Sequence, residues 1–135
     1  MTESSLVLVD TKVLLDVIEQ DEVWADWSQK QMSQFTDWMI INPLIYNELC
    51  YEVGETADVD VVMITLGLRY HELSRQALFL TSQAYRLYRK RRGTNNSPLP
   101  DFFIGAHAAA FGIPVLTRDV EWYRSYFPAV ELIAP

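Results

Sequence analysis

The sequence predicts an α/β fold: a three-layer α/β/α sandwich with a mostly parallel central sheet, formed by a single domain over residues 1–135. Short apolar, β-branched runs alternate with longer segments whose apolar residues recur every three or four positions, which is the pattern of repeated βαβ units. The short runs are apolar at consecutive positions, as strands buried on both faces are. Half of the residues are hydrophobic, so a chain of this length can bury one sizeable core.

Four apolar runs are predicted to form the strands. They cover residues 6–9, 38–41, 113–116 and 130–133, and residues 69–71 are expected to form a brief extended piece. Asp10 directly follows the first run, and Asp119 lies shortly after the third. Because ligands bind beyond the carboxyl ends of the strands in an open parallel sheet, both acids are predicted to lie at the functional edge.

The helices are predicted from apolar stripes and from residues that begin or end helices. They cover residues 12–20, 22–37, 43–53, 61–68, 72–92, 101–111 and 122–127, with loops at 54–60 and 94–100. Pro43 suits a first helical turn, and Gly93 and Gly112 are predicted helix ends. The helix that begins at Asp101 is apolar nearly all round, so it is predicted to be buried.

The charge of the chain is unevenly distributed. The formal net charge is −7, which by itself disfavours a nucleic-acid partner because phosphate contacts need a basic surface. Five of the eleven basic residues nevertheless lie close together, at Arg86, Arg89, Lys90, Arg91 and Arg92. This basic run is either a solvated helix end whose cations offset the helix dipole or an edge that contacts phosphates, and both interpretations stay open.

Cysteine and histidine usage excludes some classes of site. The single Cys50 cannot form an intramolecular disulfide or build a zinc site alone, which favours a reducing, cytoplasmic setting. No secretory signal or membrane-crossing stretch is recognisable, so we expect no membrane association. His71 and His107 do not cluster, and His107 is predicted to pack within a helix or to make a structural hydrogen bond.

Several common enzyme sites are absent from the sequence. There is no Gly-rich Walker loop, no G-x-S-x-G nucleophile elbow and no G-x-G-x-x-G dinucleotide motif. The segment Asp10-Thr11-Lys12 lacks the second Asp that an aspartyl-phosphate phosphatase needs two residues on. It also lacks the adjacent acid pair of a phosphoacceptor receiver domain.

Four acidic residues are the candidates for chemistry: Asp10, Glu48, Asp101 and Asp119. Each also has a simpler interpretation, with Asp10 as a helix N-cap, Asp101 as a helix-start acid and Glu48 at the edge of an apolar face. Four carboxylates in one pocket would repel one another unless a cation lay among them. The combination predicts Mg²⁺ or Mn²⁺ rather than Zn²⁺, and hydrolysis of a phosphodiester by a metal-activated water.

Four stretches resemble the motifs of the PIN-domain family, and within it the VapC toxins of bacterial toxin–antitoxin pairs. They are Val9-Asp10-Thr11 with residues 13–16, Ile41-Asn42-Pro43 through Glu48-Leu49, residues 97–108 around Asp101, and Leu116-Thr117-Arg118-Asp119 with Tyr123 and residues 126–128. The third stretch is the most specific, and together they span essentially the whole chain.

The resemblance implies a PIN-like fold and a metal-dependent endoribonuclease that acts as a toxin. In that family the acids matching Asp10, Glu48, Asp101 and Asp119 hold Mg²⁺ or Mn²⁺, and Thr117 matches a polar position beside the metal. The resemblance also implies an RNA substrate, a homodimer and a small antitoxin whose tail blocks the site.

Lys12 departs from the family pattern, which usually has Asn at that position. We predict that Lys12 turns away from the carboxylates or contacts RNA, and that it weakens metal binding without abolishing it. Thr11, Lys12 and Thr117 are further candidates for contacts to the metal ligands or the substrate. The alternative function is a catalytically weakened PIN scaffold that acts mainly through protein binding, with the helix bearing Trp24 and Trp27 as its docking face.

Overall fold

The computed structural model describes residues 5–135 and confirms the predicted α/β architecture. Five strands form one central sheet in the order β3-β2-β1-β4-β5, and every neighbouring pair is parallel. The strands are β1 Val7–Val9, β2 Met39–Ile41, β3 Arg69–Tyr70, β4 Val115–Leu116 and β5 Leu132–Ile133. They are shorter than the predicted runs.

Seven helices complete the fold within these residues. They are α1 Thr11–Ile18, α2 Ala25–Ser33, α3 Pro43–Val53, α4 Thr56–Leu66, α5 Arg75–Lys90, α6 Pro100–Phe111 and α7 Val120–Tyr126. None of the described helices is both long and apolar enough to cross a membrane.

Strand β1 lies at the centre of the sheet and marks the point where the strand order reverses. The chain first adds β2 and β3 on one side of β1 and then β4 and β5 on the other. Leu8 is therefore paired with both Ile40 and Val115. Such a reversal opens a crevice beyond the carboxyl ends of the two diverging strands, which is where open α/β sheets bind ligands.

The core has two parts. All residues of β1, β2 and β4 are buried, and they form the centre of the larger apolar cluster. A smaller aromatic cluster lies between α5, α6 and α7, where Phe102 is fully buried and its ring centroid lies 5.1 Å from that of Trp122. Gly105 allows this packing, because an added Cβ would lie 2.3 Å from the Phe127 ring.

The predicted loop at residues 54–60 was wrong for most of its length, because α4 begins at Thr56. Asp58 lies in the first turn of α4, where its negative charge is favoured by the helix dipole. Val59 is fully buried and attaches this turn to the core. The acidic residues that suggest a loop in the sequence instead form the start of α4.

Helices α2 and α5 begin three residues later than predicted, each for a local reason. An Oδ2 of Asp21 accepts hydrogen bonds from the backbone N–H groups of Val23 and Trp24, which holds a turn before α2. Ser74 caps α5, since its Oγ accepts from the Ala77 N–H at 3.1 Å. Side-chain oxygens of this kind commonly set helix starts.

The end of α5 differs from the prediction in the residue that adopts the left-handed conformation. Arg92, not Gly93, has a positive φ, of 68°. The N–H of Arg92 bonds to the Arg89 carbonyl and that of Gly93 to the Tyr88 carbonyl, which is a Schellman pattern. Gly93 is needed for another reason, because a Cβ there would lie 2.1 Å from the Tyr88 ring.

Candidate functional site

Asp10 lies at the centre of the crevice, directly after β1. Its N–H donates to the Leu116 carbonyl at 3.0 Å, so the ends of β1 and β4 are joined at this point. The side chain is only 4% exposed. Its Oδ2 accepts a hydrogen bond from Thr117 Oγ1 at 2.7 Å and a longer one from the Tyr123 hydroxyl at 3.3 Å.

Helix capping does not account for the three candidate aspartates. Asp10 and Asp119 occupy the N-cap positions of α1 and α7, and Asp101 lies in the first turn of α6. At none of these three helix starts does the N-cap side chain accept a capping hydrogen bond. By contrast, the side chain of Asn42 caps α3 through bonds from Leu44 and Ile45. The carboxylates of Asp10 and Asp119 are therefore not used as helix caps.

Glu48 reaches the crevice from α3. Its Oε1 accepts a hydrogen bond from Thr11 Oγ1 at 2.7 Å, a contact between residues far apart in sequence. Thr11 itself is buried and begins α1. The bond orients the Glu48 carboxylate toward the start of α1, beside Asp10, rather than toward bulk water.

Thr117 connects two of the acids. Its Oγ1 donates to Asp10 and accepts from the Asp119 N–H at 3.0 Å. Thr117 is fully buried at the end of β4. One hydroxyl thus sets both the rotamer of the Asp10 carboxylate and the backbone position of Asp119.

The four carboxyls share one electrostatic environment. Burial, and then the charges of Asp10, Glu48 and Asp119, together raise the pKa of Asp101 to about 7. The pKa of Asp10 is raised by burial, although its bonds from Thr117 and Tyr123 oppose this. Burial, and then the charge of Asp10, also raises the pKa of Glu48. A carboxyl with a pKa near 7 among three other acids would be relieved by a bound cation.

The donor set fits a hard divalent cation. All four side chains offer carboxylate oxygens, and no His or Cys is part of the set, so its chemistry favours Mg²⁺ or Mn²⁺ over Zn²⁺. Within residues 5–135, no group of three or more Asp, Glu, His or Cys side chains lies close enough together to hold a metal ion. Mg²⁺ usually retains several waters and takes few protein ligands, so it does not require a closed set of protein ligands.

Lys12 lies close enough to the crevice for its charge to act on the carboxylates. Its side chain is exposed in the first turn of α1, and it makes no ion pair with any residue in 5–135. Its positive charge nevertheless lowers the pKa of three of the four carboxyls, as the weakest of the causes acting on each. Its ammonium group therefore influences the site without lying among the carboxylates.

Sequence reasoning missed a buried ion pair beside the site. Asp16 is 3% exposed and accepts two bonds from the Arg118 guanidinium, from Nε and Nη2, both at 2.9 Å. Ser28 Oγ adds a third bond to Asp16 at 2.7 Å, and Trp24 lies under the guanidinium at 4.8 Å. Since Arg118 stands between two site residues, this pair anchors the loop that carries them. The only sequence signal was an Asp on the apolar face of α1.

Tyr123 was also missed as a site residue. It is fully buried one helical turn after Asp119, and its hydroxyl donates to Asp10. Burial, and then the nearby carboxylates, raises the pKa of Tyr123 well above its usual value, so the phenol keeps its proton. An aromatic residue on a short helix gave no indication of this bond.

The histidines are not part of the site. His107 is fully buried on α6, and its ring packs against Phe111 with centroids 5.0 Å apart. The predicted packing role is therefore observed, whereas a structural hydrogen bond is not, because neither ring nitrogen has a partner among residues 5–135. Burial lowers the pKa of His107 to about 4, so the ring is neutral.

A sizeable cavity lies away from the carboxylates. It has a volume of about 290 Å³ and is lined by residues 108–109, 112–113 and 129–131, near the amino ends of β4 and β5. Glu131 is its one charged residue. Because it lacks convergent polar groups, its size does not make it the better candidate.

Comparisons with known proteins agree with this fold. A model of the PIN domain family matches residues 7–128, whereas no curated protein matches the chain. VapBC2 from Rickettsia felis, bound to a promoter DNA fragment, superposes with a TM-score of 0.69 at 15% identity, covering 96% of this chain and 98% of that chain. DNA-bound VapBC from Salmonella typhimurium superposes with a TM-score of 0.71 at 16% identity, covering 96% of this chain and 97% of that chain. FitAcB from Neisseria gonorrhoeae superposes with a TM-score of 0.60 at 21% identity, covering 95% of this chain and 96% of that chain.

At these identities the solved structures are similar to this chain in fold. The family model, in contrast, matches most of the chain and includes all four carboxylates of the crevice. On this match the chain belongs to the PIN domain family.

Proposed function

We propose that this protein is a Mg²⁺- or Mn²⁺-dependent endoribonuclease that hydrolyses RNA phosphodiester bonds in the cytoplasm. The observation that carries the proposal is the crevice beyond β1 and β4, where burial, and then three neighbouring acids, raise the pKa of Asp101 to about 7. Membership of the PIN domain family supports a nuclease. The absence of a covalent nucleophile motif from the sequence agrees with direct attack by water.

The four carboxylates share one role in this mechanism, and neighbouring side chains hold two of them in place. Asp10, Glu48, Asp101 and Asp119 would hold the metal, which when bound supplies an activated water and neutralises charge on the phosphoryl oxygens. Thr117 and Tyr123 fix the Asp10 carboxylate, and Thr11 fixes Glu48. These bonds hold ligand oxygens in place before the cation arrives, so less ordering remains to be done on binding.

Cleavage of RNA is expected to require the divalent cation. Purified protein is incubated with total cellular RNA in Mg²⁺ and, in parallel, in EDTA, and the new 5′ ends are mapped. We expect cuts at defined sites in Mg²⁺ and none in EDTA, because the carboxylates alone cannot activate water. Equal cutting in EDTA would contradict the metal mechanism, and no cutting with either Mg²⁺ or Mn²⁺ would contradict the nuclease.

We further propose that the protein is the toxin of a toxin–antitoxin pair, with a small antitoxin as its partner, and that it forms a homodimer. The similar structures from Rickettsia felis and Salmonella typhimurium are VapBC assemblies, which supports an antitoxin partner here. Large apolar side chains are exposed on α3 and α4, at Tyr51, Val61 and Ile64. Exposed apolar groups of this kind are typical of protein interfaces.

The second candidate function is a weakened scaffold in which Lys12 disables the metal site. Two features disfavour it. Lys12 is exposed and makes no ion pair within residues 5–135, so it does not replace a metal there. Trp24 and Trp27, the proposed docking face, are partly buried, with Trp24 stacked on Arg118 and Trp27 packed against the main core.

Lys12→Asn is expected to tighten Mg²⁺ binding about threefold, because removing one exposed positive charge near the carboxylates is worth up to about 1 kcal/mol. Calorimetric titration with Mg²⁺ measures the change. Lys30→Asn, on the exposed face of α2, is the matched control and should bind Mg²⁺ as the native chain does. Equal affinities for all three proteins would remove Lys12 as a modulator of the site.

A further inference from the structure

The basic run at the end of α5 lies in a part of the chain without acids. No Asp or Glu occurs between Glu72 and Asp101, although the protein carries a net charge of −7. One or two cations in a last turn would be enough to offset a helix dipole. Here five cations extend from Arg86, a full turn before the last helical residue Lys90, to Arg92 beyond the end of α5.

The five cations divide into two groups by their contacts. Arg89 donates to the Asn95 carbonyl, and Arg91 donates to the Ser125 carbonyl and lies over the Tyr126 ring at 5.3 Å. These two arginines hold the following loop and α7. The other three are exposed and make no ion pair or side-chain hydrogen bond with any residue in 5–135: Arg86, Lys90 and Arg92. We call these three the free basic cluster.

The end of α5 that carries the free basic cluster packs beside the start of α6, where Asp101 lies. Nine residues, 91–99, join the end of α5 to the start of α6, and the two helices pack against each other as a hairpin. Tyr88, within the basic run, contacts the ring of Phe102 with centroids 5.5 Å apart. Phe102 is the neighbour of Asp101 in the first turn of α6. The end of α5 therefore lies next to the end of α6 that carries a proposed metal ligand, and Arg86 and Lys90 are on the outer face of α5 there, opposite Tyr88.

Arg92 occupies its position at a cost in backbone energy. Its φ of 68° places it at the left-handed position of the helix end, which glycine fills most readily. Glycine would fill this position of the Schellman pattern without that cost, so the helix end does not require an arginine side chain here.

We propose that the free basic cluster binds the phosphate backbone of single-stranded RNA and leads it into the carboxylate crevice. This inference rests on the proposed nuclease function and assigns the surface that holds the substrate. Exposed, unpaired cations without neighbouring acids attract phosphates through release of counterions. A flexible single strand can follow such a surface and then enter the acidic crevice, where a bound metal would offset the negative charge of the carboxylates.

The first test compares two matched double variants. Arg86→Gln with Lys90→Gln removes one Arg and one Lys from the cluster, and Lys30→Gln with Arg75→Gln removes the same charges elsewhere. Arg75 begins α5, about 20 Å from its end along the helix axis. Gln is a good helix former, so both variants should fold, and circular dichroism checks this.

Binding is measured by fluorescence anisotropy with a labelled, mixed-sequence 20-nucleotide RNA in EDTA, where no cutting occurs. Two lost phosphate contacts should lower the slope of log affinity against log salt by about 1.4 in the cluster variant. Affinity at low salt should fall at least about tenfold there, and the control variant should keep the native slope. Equal slopes for the native protein and the cluster variant would overturn the assignment.

Arg92→Gly separates the binding role from a structural one. Glycine relieves the left-handed backbone, so the melting temperature should rise by about 3 °C. RNA affinity should nevertheless fall severalfold, because a phosphate contact is lost. A structural role for Arg92 predicts the reverse pair of results, a lower melting temperature with unchanged affinity.

The outcomes distinguish this inference from the proposed function. If the native chain neither binds nor cuts RNA, the nuclease function fails. If it cuts RNA while the cluster variant binds RNA with native affinity and salt slope, only the cluster assignment fails. If polyglutamate displaces the RNA at equal charge concentration, the cluster is a site for an acidic protein segment and the RNA assignment is overturned.

Discussion

Asp10→Asn is expected to lower Mg²⁺-dependent RNA cleavage roughly a thousandfold, because it removes a charged ligand from the centre of the crevice. The substitution keeps the size and shape of the side chain, and an amide oxygen can still accept the bond from Thr117. The fold should therefore survive. Initial rates of cleavage on one mapped RNA site, measured in Mg²⁺, give the size of the loss.

The control for this experiment is Asp26→Asn on the exposed face of α2, which makes the same chemical change away from the crevice. It should cut at the native rate. Melting temperatures of both variants separate a catalytic defect from unfolding. Native cleavage by both Asp10→Asn and Asp101→Asn would refute the assignment of the site.

Mg²⁺ affinity is expected to fall about a hundredfold between about pH 8 and about pH 5. Burial, and then three neighbouring carboxylates, raises the pKa of Asp101 to about 7. A proton on Asp101 therefore competes with the metal throughout the acid range, and Mg²⁺ binding near neutral pH should release a proton. Calorimetry in buffers of different ionisation enthalpy measures both the affinity and the number of protons released.

Asp101→Asn is the variant that isolates this titration. It should bind Mg²⁺ more weakly at every pH, and its affinity should depend less on pH because the competing proton is gone. Asp26→Asn should retain the native pH dependence. A native affinity that stays constant between these pH values would show that Asp101 does not ligate the metal.

The stability of the metal-free protein should also depend on pH through the titration of Asp101. The folded-state pKa of Asp101 lies above its ordinary value of 3.8, so the folded chain binds this proton more tightly than the unfolded chain does. Its contribution to stability is complete below about pH 4 and is lost as the pH rises through about 7. The difference between the folded and ordinary pKa values corresponds to roughly 4 kcal/mol in the free energy of unfolding. Partial exposure of Asp101 reduces the expected effect to about 2 kcal/mol.

Asp101→Asn should therefore raise the free energy of unfolding of the metal-free protein above pH 7 but not near pH 4. His107 acts in the opposite direction, because its pKa is lowered by burial to about 4 and stability is lost as the pH falls below 6.5. Both proteins contain His107, so its contribution cancels in the difference between them. Urea unfolding at several pH values gives that difference.

Much of the architecture was predictable because it depends on local patterns. Consecutive apolar residues indicated the strands that are buried on both faces, and β1 and β2 are buried throughout. The helix stripes and the proline at the start of α3 were equally local signals. The acidic start of α4 was misread, because only the burial of Val59 in the folded chain distinguishes that turn from a loop.

The supporting bonds of the site could not be predicted in the same way. Thr117 and Asp10 are 107 positions apart, and Tyr123 is 113 positions from Asp10. No periodicity in a single sequence indicates a hydrogen bond across such a separation. The buried pair of Asp16 and Arg118 is hidden for the same reason, since its partners belong to opposite ends of the chain.

The sequence by itself determined which residue types are present at the ends of strands and helices, and hence that four acids needed a common explanation. The tertiary structure decided that β1 and β4 are neighbours, which places Asp10 beside Thr117 and Asp119. It also decided which cations remain free and which are used to hold the fold. The physical reason is that strand order and burial are properties of the whole packed chain, whereas helix and strand patterns arise from residues a few positions apart.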